Sequence, residues 1–265
     1  MNLPNGAVRL VRILAAHVLP PLLALVLLLA FWEFYVKWRH VHIIVLPAPS
    51  DAVSRFFDDP WFFWRQGGQT VYEATLGLFL GSAVAMVLAV LMAHSRMMER
   101  ALFPLALLIK VTPLVAVVPI LVIVFGFGSE PKILVAALFC FFPMLVNGMT
   151  GFRDVNGNAL QFFRSLQASQ WQVFWKLRAP SAMPYLFTGL KVAYPLALTG
   201  AVVAEYFTGD NGLGVTIFRA NGRLDTPTVF ASVGVLMITG VTINVLISIV
   251  ERRVLFWHDS VRSTE

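Results

Sequence analysis

The sequence predicts an all-α integral membrane protein of about six transmembrane helices, with both termini on the cytoplasmic side. Three observations carry this expectation. Charged residues make up 13% of the chain and hydrophobic residues 58%, whereas a soluble domain carries about 25% charged residues. Six apolar stretches, 13–32, 74–93, 101–128, 133–150, 185–204 and 226–250, are each long enough to cross a hydrocarbon core of about 30 Å as a helix. Basic residues gather at the edges of these stretches, so the net charge of +6 fits lipid headgroups and topology better than nucleic acid.

The first span, about 13–36, is too long for a signal-peptide core and has no small-residue cleavage site after it, so a retained helix is expected. An external segment follows. It holds a turn at Pro47, Ala48, Pro49 and Ser50, then a short helical pattern with Ser50 as N-cap. Trp61, Phe62, Phe63 and Trp64 suit a helix lying at the outer interface.

In the second span, about 70–93, small residues recur every fourth position at Gly77, Gly81, Ala85, Ala89 and Ala93. Such a stripe lets another helix approach closely, inside the subunit or across a dimer interface. The third span, about 101–127, holds one charge, Lys110, roughly 14 Å from its start. An unpaired charge there costs at least about 3 kcal/mol, so it should face protein or water. Two readings stand: a lysine lining a translocation path for an anionic substrate, or one that snorkels to the surface or bonds a backbone carbonyl. Pro113 and Pro119 should kink this helix.

The fourth span is about 131–150 and the fifth about 185–207. Lys191 lies near enough to the inner end of the fifth to snorkel. Glu205, at its outer end, reads as a gate residue on the path or as an interfacial acid with a partner. The sixth span is about 226–250, and Asn147 and Asn244 are expected to make interhelical hydrogen bonds.

Orientation follows from charge. With the N-terminus inside, the inner segments carry Arg9, Arg12, Arg96, Arg100, Arg153, Arg164, Lys176, Arg178, Arg252, Arg253 and Arg262. The outer segments carry the smaller set Lys37, Arg39, Arg55, Arg65, Lys132, Arg219 and Arg223. That excess places both ends in the cytoplasm.

The cytoplasmic segment 151–184 is the most informative. One short helix is expected over 158–168. Ser169 then restarts the chain, because Ser169 and Gln172 have capping-box spacing. The second helix, 170–178, should end before Pro180 and Pro184. It puts Trp171, Phe174, Trp175 and Arg178 on one face. The knuckle reads either as an interfacial helix pair or as an element laid into a groove of a cytoplasmic partner. A passive interfacial helix needs no capped break.

The chain resembles the membrane permease subunit of bacterial ABC importers of the binding-protein-dependent transport family, in its nitrate/sulfonate/taurine branch. That family's loop runs EAA, a later glycine, and a final I-x-L-P. Here Gln161, Phe162 and Phe163 occupy the EAA position, Gln167 the glycine, Leu177 the isoleucine, and Ala179 and Pro180 the final pair. Residues 166–174, which include Ala168, resemble that branch's version. Further matching pieces are residues 46–49, 125–128 before 131–133, Asn147 with Gly148, and 200–205 with 212–214, so the resemblance spans about residues 10–257. The loop departs from the family at its acidic residue and at its glycine, and a glutamine reaches positive φ less easily than glycine.

The resemblance implies one permease domain over residues 1–265 in the bacterial inner membrane. It implies docking of a separate ATP-binding cassette ATPase through the loop, an extracytoplasmic substrate-binding protein, and a second permease subunit in a homodimer. ATP and magnesium would sit on the ATPase, and no cofactor on this chain. The substrate implied is a small organic anion or nitrate, with pyrimidine and flavin precursors open and 22 phenylalanines consistent with an aromatic solute. The alternative is a stand-alone channel or secondary transporter, which needs no docking knuckle and more often shows inverted repeats. Enzyme classes find no support. HExxH, P-loop and GxSxG patterns are absent, the histidines lack metal spacing, and Cys140 has no partner for a disulfide, so no catalytic or metal residue is assigned.

Overall fold

The computed structural model describes residues 5–256, with side chains from residue 19 onward. Arg9, Arg12 and Arg262, which contribute to the charge bias, lie outside the described side chains. Every regular element among the described residues is helical. Among the described residues, five helices are long and apolar enough to cross a membrane, and a sixth crossing arises if one sharply bent helix pair counts as a span.

The chain divides into two compact units, Met1–Pro60 with Arg219–Ala231, and Trp61–Phe218 with Ser232–Glu265. In the first unit, α1 (Asn5–Trp38) contains the candidate span Leu19–Trp38 and continues through Pro20 and Pro21. The short helix α2 (Pro49–Asp58) begins two residues earlier than expected, with Ala48 at the N-cap and Pro49 in the first turn. Proline suits that place because its missing N–H would have no helical partner there. The Asp51 carboxylate accepts from the Ala48 N–H at 2.8 Å. Ser50 is therefore not the cap: its N–H and Oγ both donate to Glu33 of α1, at 3.0 and 2.7 Å. The Thr226 hydroxyl donates to the Ile43 carbonyl, and the Trp32 and Phe230 rings lie 5.3 Å apart.

In the second unit, the long helix α3 (Pro60–His94) starts well before residue 70. The aromatic quartet is therefore its first turn and not a separate interfacial helix. Phe63 is buried while Trp61 and Trp64 remain exposed. The expected third span is two helices, α4 (Arg96–Val111) and α5 (Leu114–Phe125), set at 93° to each other. The break lies at Thr112 and Pro113. Proline disfavours helical geometry in the residue before it, and Thr112 is extended with φ −65° and ψ 130°. Pro119, by contrast, lies inside α5.

Helix α6 (Ser129–Arg153) packs against α9 (Ala179–Thr208) to form the centre of the unit. The unit also contains α7 (Gly157–Ser165), α8 (Gln170–Val173), the start of α10 (Leu213–Gly222) and most of α11 (Thr226–Val254). Small residues permit the close packing. A methyl group on Gly200 would stand 2.9 Å from the Ala136 Cα, and one on Gly81 2.7 Å from the Cys140 sulfur. Leu108, Ile123, Met237 and Ile238, on α4, α5 and α11, are exposed and apolar, as lipid or subunit contact requires.

Candidate functional site

Three assemblies within the second unit can carry function: the knuckle after α6, the break between α4 and α5, and a buried polar cluster at the far end of α9.

The knuckle begins at Asn156, whose side chain accepts from the N–H groups of Asn158 and Ala159 at 2.9 and 3.3 Å, starting α7. At the other end the Ala168 N–H reaches the Phe163 carbonyl at 3.1 Å and the Gln167 N–H reaches that of Arg164 at 2.9 Å. These paired bonds are a Schellman closure, which needs a left-handed residue at the position of Gln167. Gln167 supplies it with φ 51°. The glutamine at the family's glycine position thus adopts the glycine conformation, at a cost of about 1 kcal/mol. Next, Ser169 caps α8 with the reciprocal bonds its spacing predicts. Its Oγ accepts from the Gln172 N–H at 3.2 Å, and the Gln172 side chain accepts from the Ser169 N–H at 2.8 Å.

One expectation about the knuckle is corrected. The helix from Gln170 does not stop before Pro180 and Pro184. It runs to Thr208, through a π-helical turn at Phe174–Arg178 that passes directly into α9. A π turn bonds each N–H five residues back, as Ala179 does to Phe174, and the wide turn leaves room where Pro180 has no N–H to offer. The aromatic residues lie together, with ring centres 6.3 Å apart for Trp171 and Phe174 and 5.5 Å apart for Trp171 and Trp175, but they differ in burial. Trp171 and Trp175 are exposed, but Phe174 turns inward, 5.5 Å from the Phe152 ring and 5.6 Å from His94. Val173, which the pattern did not single out, is buried beside it. Of the remaining loop residues, Gln161, Phe162, Gln172 and Pro180 are exposed, while Phe163, Ala168 and Leu177 are half-buried. Nearby, Glu99 and Arg153 form a two-pronged ion pair at 2.7 Å, and Arg153 also donates to the Met92 carbonyl at 2.8 Å.

Lys110 is not in the middle of a continuous helix. It stands in the last turn of α4, just before the break. Its ammonium lies 4.6 Å from the centre of the Phe142 ring on α6.

Glu205 is fully buried. One carboxylate oxygen accepts from the Thr70 hydroxyl at 2.7 Å and the other from the Gly214 N–H at 2.5 Å. It holds the turn between α9 and α10, where Gly212 has φ 122° and any Cβ would strike the Glu205 carboxylate. Lys132, expected in an outer loop, is also buried. It donates to Glu73 of α3 at 3.0 Å and to the Asn211 carbonyl at 3.0 Å. Gln69 and Ser129 donate to the same Glu73 oxygen at 2.7 and 2.9 Å. Sequence reasoning passed over Glu73. The available signal was an acid at the lip of one apolar run and a lysine at the lip of another.

The small-residue stripe of α3 faces α6 within the subunit. Gly77 abuts Ala136 and the Ile133 carbonyl, Gly81 abuts Ala137 and Cys140, and Ala85 and Ala89 are buried. The Asn244 side chain donates to the Lys191 carbonyl across helices, whereas Asn147 bonds the Pro143 carbonyl of its own helix. Lys191 pairs with Glu251 of α11.

The model of the family described as "binding-protein-dependent transport system inner membrane component" matches residues 77–256. The riboflavin transport system permease protein of Chloroflexus aurantiacus is 34% identical over 238 residues, 89% of each chain. The formylaminopyrimidine transport permease protein of Halalkalibacterium halodurans is 32% identical, over 90% of this chain and 96% of that one. The taurine transport system permease protein of Escherichia coli is 26% identical over 90% and 89% of the two chains. Among solved structures, the MetNI methionine ABC transporter in inward-facing conformations superposes with a TM-score of 0.66. The match covers 74% of this chain and 98% of that one, at 15% identity, a likeness of fold.

Proposed function

The chain belongs to the family of binding-protein-dependent transport system inner membrane components, and from that premise we propose that the knuckle docks a separate ATP-binding cassette ATPase that drives substrate import. The chain is a multi-pass, non-catalytic permease subunit of an ABC importer. The observation that carries the docking proposal is the knuckle itself. The capped helix α7 and the capped start of the helix from Gln170 present Trp171, Trp175, Phe162 and Leu166 to the exterior while Phe174 and Val173 anchor them to the subunit. Exposed aromatic side chains on a rigid base are what a groove in a partner protein can bury.

In the same proposal, residues 1–265 act as one permease domain in the bacterial inner membrane, with both termini cytoplasmic as the basic residues favour. Two copies form a homodimer. ATP and magnesium reside on the ATPase, and an extracytoplasmic binding protein delivers substrate. The substrate is a small organic solute within the range of the named relatives, which spans flavin, formylaminopyrimidine and the organosulfonate taurine. Copurification of the ATPase with the permease tests the docking. Joint replacement of Trp171 and Trp175 by alanine should release the ATPase and stop uptake in reconstituted vesicles. Full association and transport by that variant would overturn the proposal.

A further inference from the structure

The break between α4 and α5 opens onto a cavity of about 290 Å³ lined by Lys110, Thr112, Leu114, Leu138, Phe139 and Phe142, with Pro143 and Leu196 completing it. The walls are almost wholly apolar and two are aromatic. Thr112 spends its hydroxyl hydrogen on the Leu108 carbonyl at 2.8 Å. The remaining polar group is the Lys110 ammonium. Among the described residues it has no carboxylate partner and no hydrogen bond, and its contact is the face of the Phe142 ring. A ring face attracts a cation but does not neutralise it.

Snorkelling to the knuckle side does not account for this lysine. The end of α4 beside the knuckle is at Ser95, and Lys110 lies about 22 Å along the helix from it, farther than a lysine stem reaches. Within a membrane-spanning element, such a charge belongs beside water or an anion.

We propose that this cavity binds a small organic anion with a flat apolar body, its charged group on the Lys110 ammonium and its body against Phe139, Leu138 and Leu196. The proposal rests on the importer reading and adds a substrate contact to it. The volume lies at the low end for small-molecule pockets, about 300–1,000 Å³, which suits a single-ring solute. An inorganic anion such as nitrate would leave the apolar walls unused.

The test places a reporter thiol at the cavity wall in the full-length chain in lipid nanodiscs, through Thr112→Cys. The native Cys140 is buried, and the parent chain with Cys140 alone sets the background. An anionic methanethiosulfonate (the ethylsulfonate) and a cationic one (the trimethylammonium) are compared, each relative to a free thiol in solution. The anionic reagent should be favoured by about tenfold. Lys110→Met should abolish that preference and Lys110→Arg should keep it. Benzenesulfonate should slow the modification several-fold when Lys110 is present, and nitrate should not. An unreactive thiol, a preference unchanged by Lys110→Met, or equal protection by nitrate would each overturn the proposal. ATPase copurification with the Lys110→Met chain reads the importer assignment separately, because Lys110 is remote from the knuckle. Lost copurification by the wild-type chain would sink that assignment and leave the cavity result standing.

Discussion

Replacing Lys132 by methionine tests whether the buried pair with Glu73 holds α3, α6 and the turn after α9 together. The two groups are 3.0 Å apart and essentially inaccessible to solvent. At that distance and an effective dielectric of about 20, their attraction is about 5 kcal/mol. Much of this offsets the cost of taking both ions out of water, so the pair's net worth is far smaller. Breaking it is different. Methionine leaves the Glu73 carboxylate buried with only the neutral donors Gln69 and Ser129, and strips the Asn211 carbonyl of its donor. The expected loss is about 3–5 kcal/mol, or a fall of about 10 °C in unfolding temperature for a chain of this size. Cys140 supplies the assay: it is the sole cysteine and is buried, so a thiol-reactive fluorophore reports unfolding on heating. The double variant Glu73→Gln, Lys132→Met removes both charges and should recover most of the loss. A Lys132→Met protein that unfolds within 2 °C of the parent, or a double variant as unstable as the single one, would refute the reasoning.

Three further outcomes are expected. Gln167→Gly relieves the left-handed strain at φ 51° and should stabilise the knuckle by about 1 kcal/mol, seen as slower hydrogen exchange at Gln167 and Ala168; faster exchange would contradict the Schellman assignment. Phe174→Ala should lower the unfolding temperature through a core loss of about 3 kcal/mol, whereas Trp171→Ala should leave it nearly unchanged and weaken ATPase copurification. Equal thermal effects of these two variants would show that Phe174 does not anchor the knuckle. Gly212→Ala forces a side chain onto the Glu205 carboxylate at φ 122° and should cost about 2 kcal/mol or more, measured by the same Cys140 labelling. Wild-type unfolding by this variant would remove Glu205 as the clasp of that turn.

What the sequence determined by itself is what rests on local or compositional physics. Apolar length against bilayer thickness marked the membrane helices, because an unpaired backbone group in hydrocarbon costs more than any loop sequence can repay. The Ser169 capping box was legible because both partners lie within one turn. The four-residue spacing of Gly77, Gly81, Ala85 and Ala89 marked a contact face, because a helix repeats nearly every four residues. Tertiary structure decided the rest. Whether proline ends, bends or joins a helix depends on its surroundings. Pro113 splits the third span at 93°, yet Pro180 sits where a π turn feeds α9. The burial of Phe174 depends on Phe152 and His94, which two other helices bring against it. Glu73 and Lys132 are 59 residues apart, and nothing local to either shows that α3 and α6 will bring them together. Once together they pair, and Lys132 is buried although its sequence neighbourhood reads as a loop. Lys110 obeys the same logic in reverse: composition marks it as an isolated charge, and only the packing of α4 against α6 reveals the aromatic cavity it faces.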